Sequence, residues 1–96
     1  MKTTIIPKEE INQLHFSNKE VLESSEMKTI RFNQLKQGEA LGNTYKHKVK
    51  IFFQSIEGSW MVYATVWLAT ETHVQLKGGI LIPIKVIEEV ALFGNF

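Results

Sequence analysis

The chain has 96 residues, 44% of them apolar, with a net charge of +1 and no cysteine. These values predict one domain, residues 1–96, and exclude a disulfide framework, a thiolate metal site and a thiol nucleophile. No segment approaches the roughly 18 consecutive apolar residues of a membrane span, and Pro7 interrupts any signal-like N-terminus, so we predict a soluble cytoplasmic protein. The net charge is too small to predict nucleic-acid binding, so any basic site must be a local arrangement.

Short helices are predicted in residues 1–43, where charged residues are dense. Pro7 suits the first position of a helix, and the two glutamates after Lys8 favour a helix N-terminus. Ser17 and Glu20 have the spacing of a capping box, which predicts a second helix start.

A third and longer helix is predicted from Ser24 or Ser25 to about Leu41. Its apolar residues recur at helical spacing and are expected to face the core. They are Met27, Ile30 and Leu41, with Leu35 at the border. Gly42-Asn43 has the composition of a C-terminal stop.

Residues 44–96 alternate apolar with polar side chains, which predicts β-strands. The first two are His47–Ile56 and Trp60–Ala69, joined by the two-residue loop Glu57-Gly58. This loop places six apolar side chains on one face, and a one-residue slip would scatter them. The predicted pairs are Phe53–Val62, Ile51–Ala64 and Val49–Val66.

Two loops are compatible with the turn after Ala69. A two-residue loop, Glu71-Thr72, sets Leu68 opposite Gln75. We prefer a three-residue loop, Thr70–Thr72, because it keeps the apolar face intact. Its pairs are Leu68–Val74 and Val66–Leu76.

The stretch Lys77-Gly78-Gly79 predicts a third turn, in which one glycine supplies the left-handed residue. Leu81 then points outward. Pro83 cannot donate to a strand ladder, so it ends this strand, and a 3₁₀ turn at Ile84–Val86 leads to a last strand, Ile87–Phe93. The inward residues are the pairs Leu76–Ile80 and Val74–Ile82, followed by Val90 and Leu92.

These elements predict the α+β class, with N-terminal short helices (residues 1–43) packed on a small five-stranded antiparallel SH3-like or Sm-like β-barrel (residues 44–96). The long second strand and the tight turn before the fifth strand are typical of such barrels. An architecture of this kind carries no function by itself.

The runs LGNTYKHKVKIFF and ATVWLATETHVQLKGGILIPI resemble a family of small uncharacterised bacterial proteins. The shared features are a helical lead-in, a Lys-Val-Lys-Ile-type strand, Val-Trp ahead of Thr-Glu, and Leu-Lys-Gly-Gly before Ile-Pro-Ile. The resemblance covers mainly residues 41–87. It implies a complete natural domain and brings no activity, substrate or catalytic residue.

The outer face of the first hairpin is the candidate binding site, because lysines alternate there with aromatic rings. Lysines neutralise phosphates and flat rings stack on bases, as in proteins that bind single-stranded nucleic acid. The expected pairs are Lys48–Trp67, Lys50–Thr65 and Phe52–Tyr63. The candidate residues are Lys46, Lys48, Lys50, Phe52, Tyr63 and Trp67.

Three interpretations of this face stay open: intramolecular packing, a protein-interaction or self-association surface, and nucleic-acid binding. Exposed Phe93 and Phe96 and the free strand edges of a small barrel favour self-association, for example as a dimer. The leading prediction is a non-catalytic module that binds a protein partner or a second copy. The alternative is RNA or single-stranded nucleic acid, and helices covering Tyr63 and Trp67 would exclude it.

No catalytic residue, metal site, cofactor or small-molecule substrate is predicted. The three histidines lie far apart in sequence, although His47 and His73 could approach at one barrel end. Glu88 and Glu89 are adjacent on a strand and face opposite sides, so they do not pair for acid–base chemistry. Lys77-Gly78-Gly79 lacks the following helix of a phosphate-binding P-loop.

Overall fold

The computed structural model describes residues 2–92, which form one α-helix, two 3₁₀ helices and six β-strands. The strands are β1 (Thr4–Ile5), β2 (Lys48–Ser55), β3 (Gly58–Ala69), β4 (His73–Leu76), β5 (Leu81–Pro83) and β6 (Ile87–Ala91). The helices are α1 (Ser25–Tyr45) and the 3₁₀ helices Lys8–Gln13 and Ile84–Val86. The predicted α+β class is therefore confirmed.

The sheet has the order β5-β4-β3-β2-β6, antiparallel throughout, and β1 runs parallel to the first part of β3. Because β5 and β6 are the two ends of this order, the described strands form a sheet that is not closed, and the predicted five-stranded barrel is not confirmed. The core combines both parts of the chain. Its fully buried side chains include Ile11, Leu35, Val49, Ile51, Phe53, Val66 and Ile82.

The N-terminal segment holds one 3₁₀ helix instead of the predicted short helices, and residues 14–24 contain no helix. The predicted capping box bonds within local turns: Ser17 Oγ accepts from the Lys19 N–H, and the Glu20 carboxylate accepts from the Leu22 N–H. Only Val21 and Leu22 follow as apolar residues. They are too few for a helix to bury an apolar stripe, so the local turns prevail.

Arg31 of α1 ties this segment to the rest of the fold. Its Nη1 and Nη2 donate to the two carboxylate oxygens of Glu20 at 2.7 Å each, and Nη1 also donates to the Ile87 carbonyl at 2.9 Å. The hydrogen bonds from Arg31 lower the pKa of Glu20. Since Arg31 is 4% exposed, this bidentate pair holds the segment before α1 against both α1 and β6.

The helix α1 begins where predicted, because Ser24 Oγ accepts from the Met27 N–H. The predicted stop at Gly42-Asn43 is wrong, since α1 continues to Tyr45 and ends at Lys46 in the left-handed conformation. Gly42 instead permits close packing. A Cβ atom there would lie 2.4 Å from the Val66 carbonyl oxygen of β3.

The buried stripe of α1 also differs from the predicted one. Met27 and Ile30 are exposed. The residues that α1 buries are Arg31, Leu35, Gly38 and Gly42. The buried stripe therefore combines two glycines with Leu35 and Arg31, and Gly42 brings the helix backbone close to β3.

The first hairpin keeps the predicted inward face but shifts in register by two residues. The observed pairs are Phe53–Trp60, Ile51–Val62 and Val49–Ala64. The loop is Ile56-Glu57 because the N-terminal segment holds it: the Ile56 N–H donates to the His15 carbonyl at 2.8 Å, and the Glu57 carboxylate accepts from the His15 N–H at 3.0 Å. A shift of two preserves side-chain direction, so the apolar face was predictable while the partners were not.

The second turn combines both predicted alternatives. Thr70 and His73 close a two-residue loop through a backbone bond of 2.9 Å, so the preferred three-residue loop is wrong. Leu68 then pairs with Gln75, and the expected Leu68–Val74 pair is wrong too. A bulge at Trp67 then shifts the register by one residue, so that the apolar side chains before it again face the core. The pair Val66–Leu76 therefore forms as predicted.

The third turn and the chain end follow the prediction. Gly78 and Gly79 have φ values of 98° and 87°, and Leu81 is exposed. Val74 pairs with Ile82, and the Leu76 N–H donates to the Ile80 carbonyl, as the predicted inward pairs require. The strand β5 ends at Pro83, and the 3₁₀ helix Ile84–Val86 follows it. Val90 and Leu92 are buried. The strand β6 is described to Ala91, and Phe93 and Phe96 lie outside the described residues.

Side chains of α1 complete the edge of β3 beyond the end of β2. Asn43 Nδ2 donates to the Trp67 carbonyl at 3.3 Å, the Ala69 N–H donates to Glu39 Oε2 at 2.8 Å, and Lys36 Nζ donates to the Ala69 carbonyl at 3.4 Å. The three side chains occupy one stripe of α1. They satisfy backbone groups that β2 does not reach.

Candidate functional site

Four lysines from four separate segments line one cavity of about 500 Å³. Lys8 belongs to the first 3₁₀ helix, Lys46 ends α1, Lys48 begins β2, and Lys77 opens the loop between β4 and β5. Tyr63 and Thr65 of β3 form part of the wall. We call this set the lysine cavity.

Lys48 lies against the ring of Tyr63, with its Nζ 5.5 Å from the ring centroid. The two-residue register shift produces this contact, because it sets Lys48 opposite Thr65 and Lys50 opposite Tyr63. The predicted pairing of Lys48 with Trp67 is therefore wrong. Tyr63 keeps 46% of its surface exposed, so α1 does not cover it.

Lys46 has φ 57° and ψ 29°, and it is the one non-glycine residue with positive φ among residues 2–92. This left-handed conformation costs about 1–2 kcal/mol in a residue that carries a Cβ atom, and glycine is usual at this position of a helix end. A lysine here places a cation at the cavity. Backbone strain of this kind is concentrated at binding sites.

Lys8 and Lys77 belong to the site although the sequence pattern did not indicate them. A Cβ atom on Gly78 would lie 3.7 Å from Lys8 Nζ, so Lys8 reaches the loop that carries Lys77. That loop is anchored to β3, because the Lys77 N–H donates to the Thr65 carbonyl at 2.9 Å. Both lysines are placed at the cavity by contacts between residues far apart in sequence, which the periodicity of apolar residues does not predict.

The lysine cavity carries excess positive charge. Within residues 2–92, none of its four lysines forms an ion pair with a carboxylate, and Glu9 is the one acidic residue in the described lining. Glu88 and Glu89, which could have neutralised Lys46 or Lys48, line a different depression beside α1. An anion would therefore find cations that no described carboxylate neutralises.

The other predicted site residues lie outside the described lining of the cavity. Lys50 and Phe52 are half-buried, and Phe52 pairs with Met61. Trp67 lies at the β3 bulge and is 43% exposed. Of the predicted set, Lys46, Lys48 and Tyr63 line the cavity. Lys50 lies opposite Tyr63 in the sheet but outside the described lining, as do Phe52 and Trp67.

The histidines are engaged separately and do not converge. His15 Nδ1 contacts the Glu57 carboxylate, His47 Nε2 contacts the Leu92 carbonyl, and His73 Nδ1 contacts Thr72 Oγ1. In the described part of the chain, no three His, Asp or Glu side chains are grouped in a way that could hold a metal ion.

Comparisons with protein-family models, with curated proteins and with solved structures found no match for this chain. Among residues 2–92 there is no helix with the length and apolar character needed to span a membrane. The functional interpretation therefore depends on the geometry of the lysine cavity.

Proposed function

We propose that the protein is a non-catalytic binding module whose lysine cavity and exposed Tyr63 ring bind single-stranded nucleic acid. The observation that carries this proposal is the grouping of Lys8, Lys46, Lys48 and Lys77 around one cavity that Tyr63, 46% exposed, also lines. Cations that neutralise phosphates, next to a ring that stacks on a base, are the two parts of a single-stranded nucleic-acid site.

The register favours Tyr63 over Trp67 as the stacking ring. Lys48 Nζ lies over Tyr63, so a base on this ring would have its phosphate close to a cation. Trp67 lies at the bulge and outside the described lining of the cavity. Base stacking on one aromatic side chain contributes roughly 1–3 kcal/mol.

Fluorescence anisotropy of a labelled mixed-sequence oligonucleotide tests the proposal. Tyr63→Ala should weaken binding by about 1–3 kcal/mol, while Tyr63→Phe, which keeps the ring, should bind almost as well as the wild type. Trp67→Ala is the matched control and should leave the affinity unchanged. Equal affinities for Tyr63→Ala and the wild type would remove Tyr63 from the site, and absence of binding by the wild type would overturn the function.

A second candidate, self-association, is favoured by a row at the sheet edge in which two exposed leucines flank Gln75. Leu68 pairs with Gln75, and Gln75 pairs with Leu81 of the edge strand β5. Leu68 and Leu81 are 47% and 51% exposed. Exposed apolar side chains beside a free edge are typical of surfaces that bind protein or a second copy.

Sedimentation velocity over a wide concentration range tests self-association. The wild type should form a dimer at high concentration, and Leu81→Lys should remain monomeric because it places a charge in the row. Wild-type protein that stays monomeric at every concentration would exclude this candidate.

Three finer predictions remain proposals. An SH3-like or Sm-like arrangement is supported by the strand order, the long bulged β3 and the 3₁₀ turn before β6. Membership of the bacterial family rests on the two sequence runs in residues 41–87, and it adds no ligand. A cytoplasmic location agrees with the absence of cysteine.

A further inference from the structure

We infer that the lysine cavity binds the terminal phosphate of a nucleic-acid strand, so that the module recognises strand ends. This inference rests on the proposed function and specifies which part of the ligand occupies the cavity. A terminal phosphate is a phosphomonoester with a charge of about −1.5 to −2 at neutral pH, whereas an internal phosphodiester carries a single negative charge.

The placement of the lysines supports a terminal group. A groove that follows a strand distributes its cations along the backbone of the ligand. Here the four lysines come from four segments and line one cavity. Lys8 Nζ lies beside the loop that begins with Lys77, and Lys48 Nζ lies over Tyr63, so at least two ammonium groups are placed at this cavity by contacts from different elements. Several cations grouped at one cavity can neutralise one group that carries two negative charges.

The size of the cavity and the position of Tyr63 agree with this ligand. A cavity of about 500 Å³ lies within the range of small-molecule sites, so a phosphate with its attached sugar can enter. Tyr63 forms part of the wall and is 46% exposed, so the terminal base can stack on its outer surface. The rest of the strand would then leave over the sheet.

Lys46 adds a further cation to this cavity. Its backbone is held in the left-handed conformation that favours glycine, yet the residue is a lysine that lines the cavity. The cavity therefore contains both backbone strain and unneutralised like charges. A doubly charged group in the cavity would offset the mutual repulsion of the lysines.

Competition between matched oligonucleotides tests the inference. The strands are a phosphorylated oligonucleotide, with separate 5′ and 3′ forms, and an unphosphorylated strand two nucleotides longer, which carries about the same total charge. We expect one phosphorylated form to bind about tenfold more tightly than the longer strand. This preference should disappear in Lys8→Gln and Lys77→Gln and persist in Lys85→Gln, which replaces an exposed lysine outside the described cavity lining.

Circular dichroism of each variant excludes unfolding as the cause of a lost preference. Equal binding of the phosphorylated and the longer strand, with a normal salt dependence, would overturn the inference and leave the proposed function intact. Absence of binding by every oligonucleotide would overturn both. A preference that survives in Lys8→Gln and Lys77→Gln would place the phosphate elsewhere and would also overturn the inference.

Discussion

Lys46 occupies a backbone conformation that glycine adopts more easily. A single substitution at this residue is therefore expected to change the stability of the fold and the affinity for an oligonucleotide in opposite directions. Lys46→Gly should raise the free energy of unfolding by roughly 0.5–1 kcal/mol. The free energy gained because glycine adopts the left-handed conformation without strain should exceed the stabilisation lost when a cation is removed from the C-terminus of α1. The same change should weaken oligonucleotide binding, because it removes one cation of the lysine cavity.

Urea denaturation and oligonucleotide titration measure the two effects of Lys46→Gly. Lys46→Gln is the matched control: it should weaken binding similarly without the gain in stability. If Lys46→Gly were more stable and bound the oligonucleotide as well as the wild type, Lys46 would serve only to end the helix.

Glu57 predicts an acid-sensitive contribution to stability at the first hairpin. The His15 N–H and the His15 ring bond to its carboxylate and lower the pKa of Glu57 from 4.5 to about 2. The folded state therefore holds Glu57 ionised at a pH where the unfolded chain begins to protonate it. The contribution is complete above pH 4.5 and is lost as the pH falls toward about 2.

The comparison with Glu57→Gln isolates this contribution from those of other carboxylates. The wild type should be more stable than Glu57→Gln near neutral pH, and the difference in free energy of unfolding should shrink between pH 4.5 and about 2. Urea denaturation at several pH values measures it. A difference that stays constant with pH would show that the His15–Glu57 contact does not favour the ionised carboxylate.

Among the elements, α1 offers a matched pair of glycines with opposite expected effects. A Cβ atom on Gly42 would lie 2.4 Å from the Val66 carbonyl oxygen, whereas one on Gly38 would make ordinary contacts of 3.5–3.7 Å with side chains. Gly38→Ala should therefore stabilise the fold by up to about 1 kcal/mol through helix propensity. Gly42→Ala should destabilise it by about 1–2 kcal/mol, since the steric cost exceeds the same gain.

Thermal and urea denaturation of the two alanine variants measure this contrast. Equal stabilisation by both substitutions would mean that α1 does not approach β3 closely at Gly42. Equal destabilisation would mean that Gly38 is also needed for packing.

The same elements explain how much of the fold was predictable from the sequence. Side-chain direction follows from alternation, so the inward faces of the strands and the glycine loop at Gly78-Gly79 were predictable. Pairing partners depend on contacts made from elsewhere in the chain: His15 fixes the first turn, and the bulge at Trp67 combines two alternative loops. The role of Gly42 was not predictable either, because the sequence does not distinguish a glycine that permits close packing from one that ends a helix.

The candidate site was only partly predictable. Alternation placed Lys48 and Tyr63 on the outer face, and both line the lysine cavity. Trp67 does not line the cavity, because the observed register differs by two residues from the predicted one and pairs Lys48 with Thr65 instead of Trp67. Lys8 and Lys77 reach the cavity through tertiary contacts, which hydrophobic periodicity does not encode.

For the whole molecule, a net charge of +1 conceals a strongly uneven distribution of charge. Four lysines and one glutamate line the lysine cavity, whereas Glu88 and Glu89 line a separate depression beside α1. Local grouping matters more for an anionic partner than the total, because screening limits exposed charges to a range of about 8–10 Å near physiological salt.

The salt dependence of oligonucleotide binding tests the central proposal most directly. If the cavity lysines neutralise phosphates of a single strand, the logarithm of the association constant should fall with the logarithm of salt concentration, with a slope of about −0.7 for each phosphate neutralised. The double variant Lys8→Gln/Lys77→Gln should make this slope less steep, while Lys85→Gln should leave it unchanged. An unchanged slope in the double variant, or wild-type binding that does not respond to salt, would contradict the proposal.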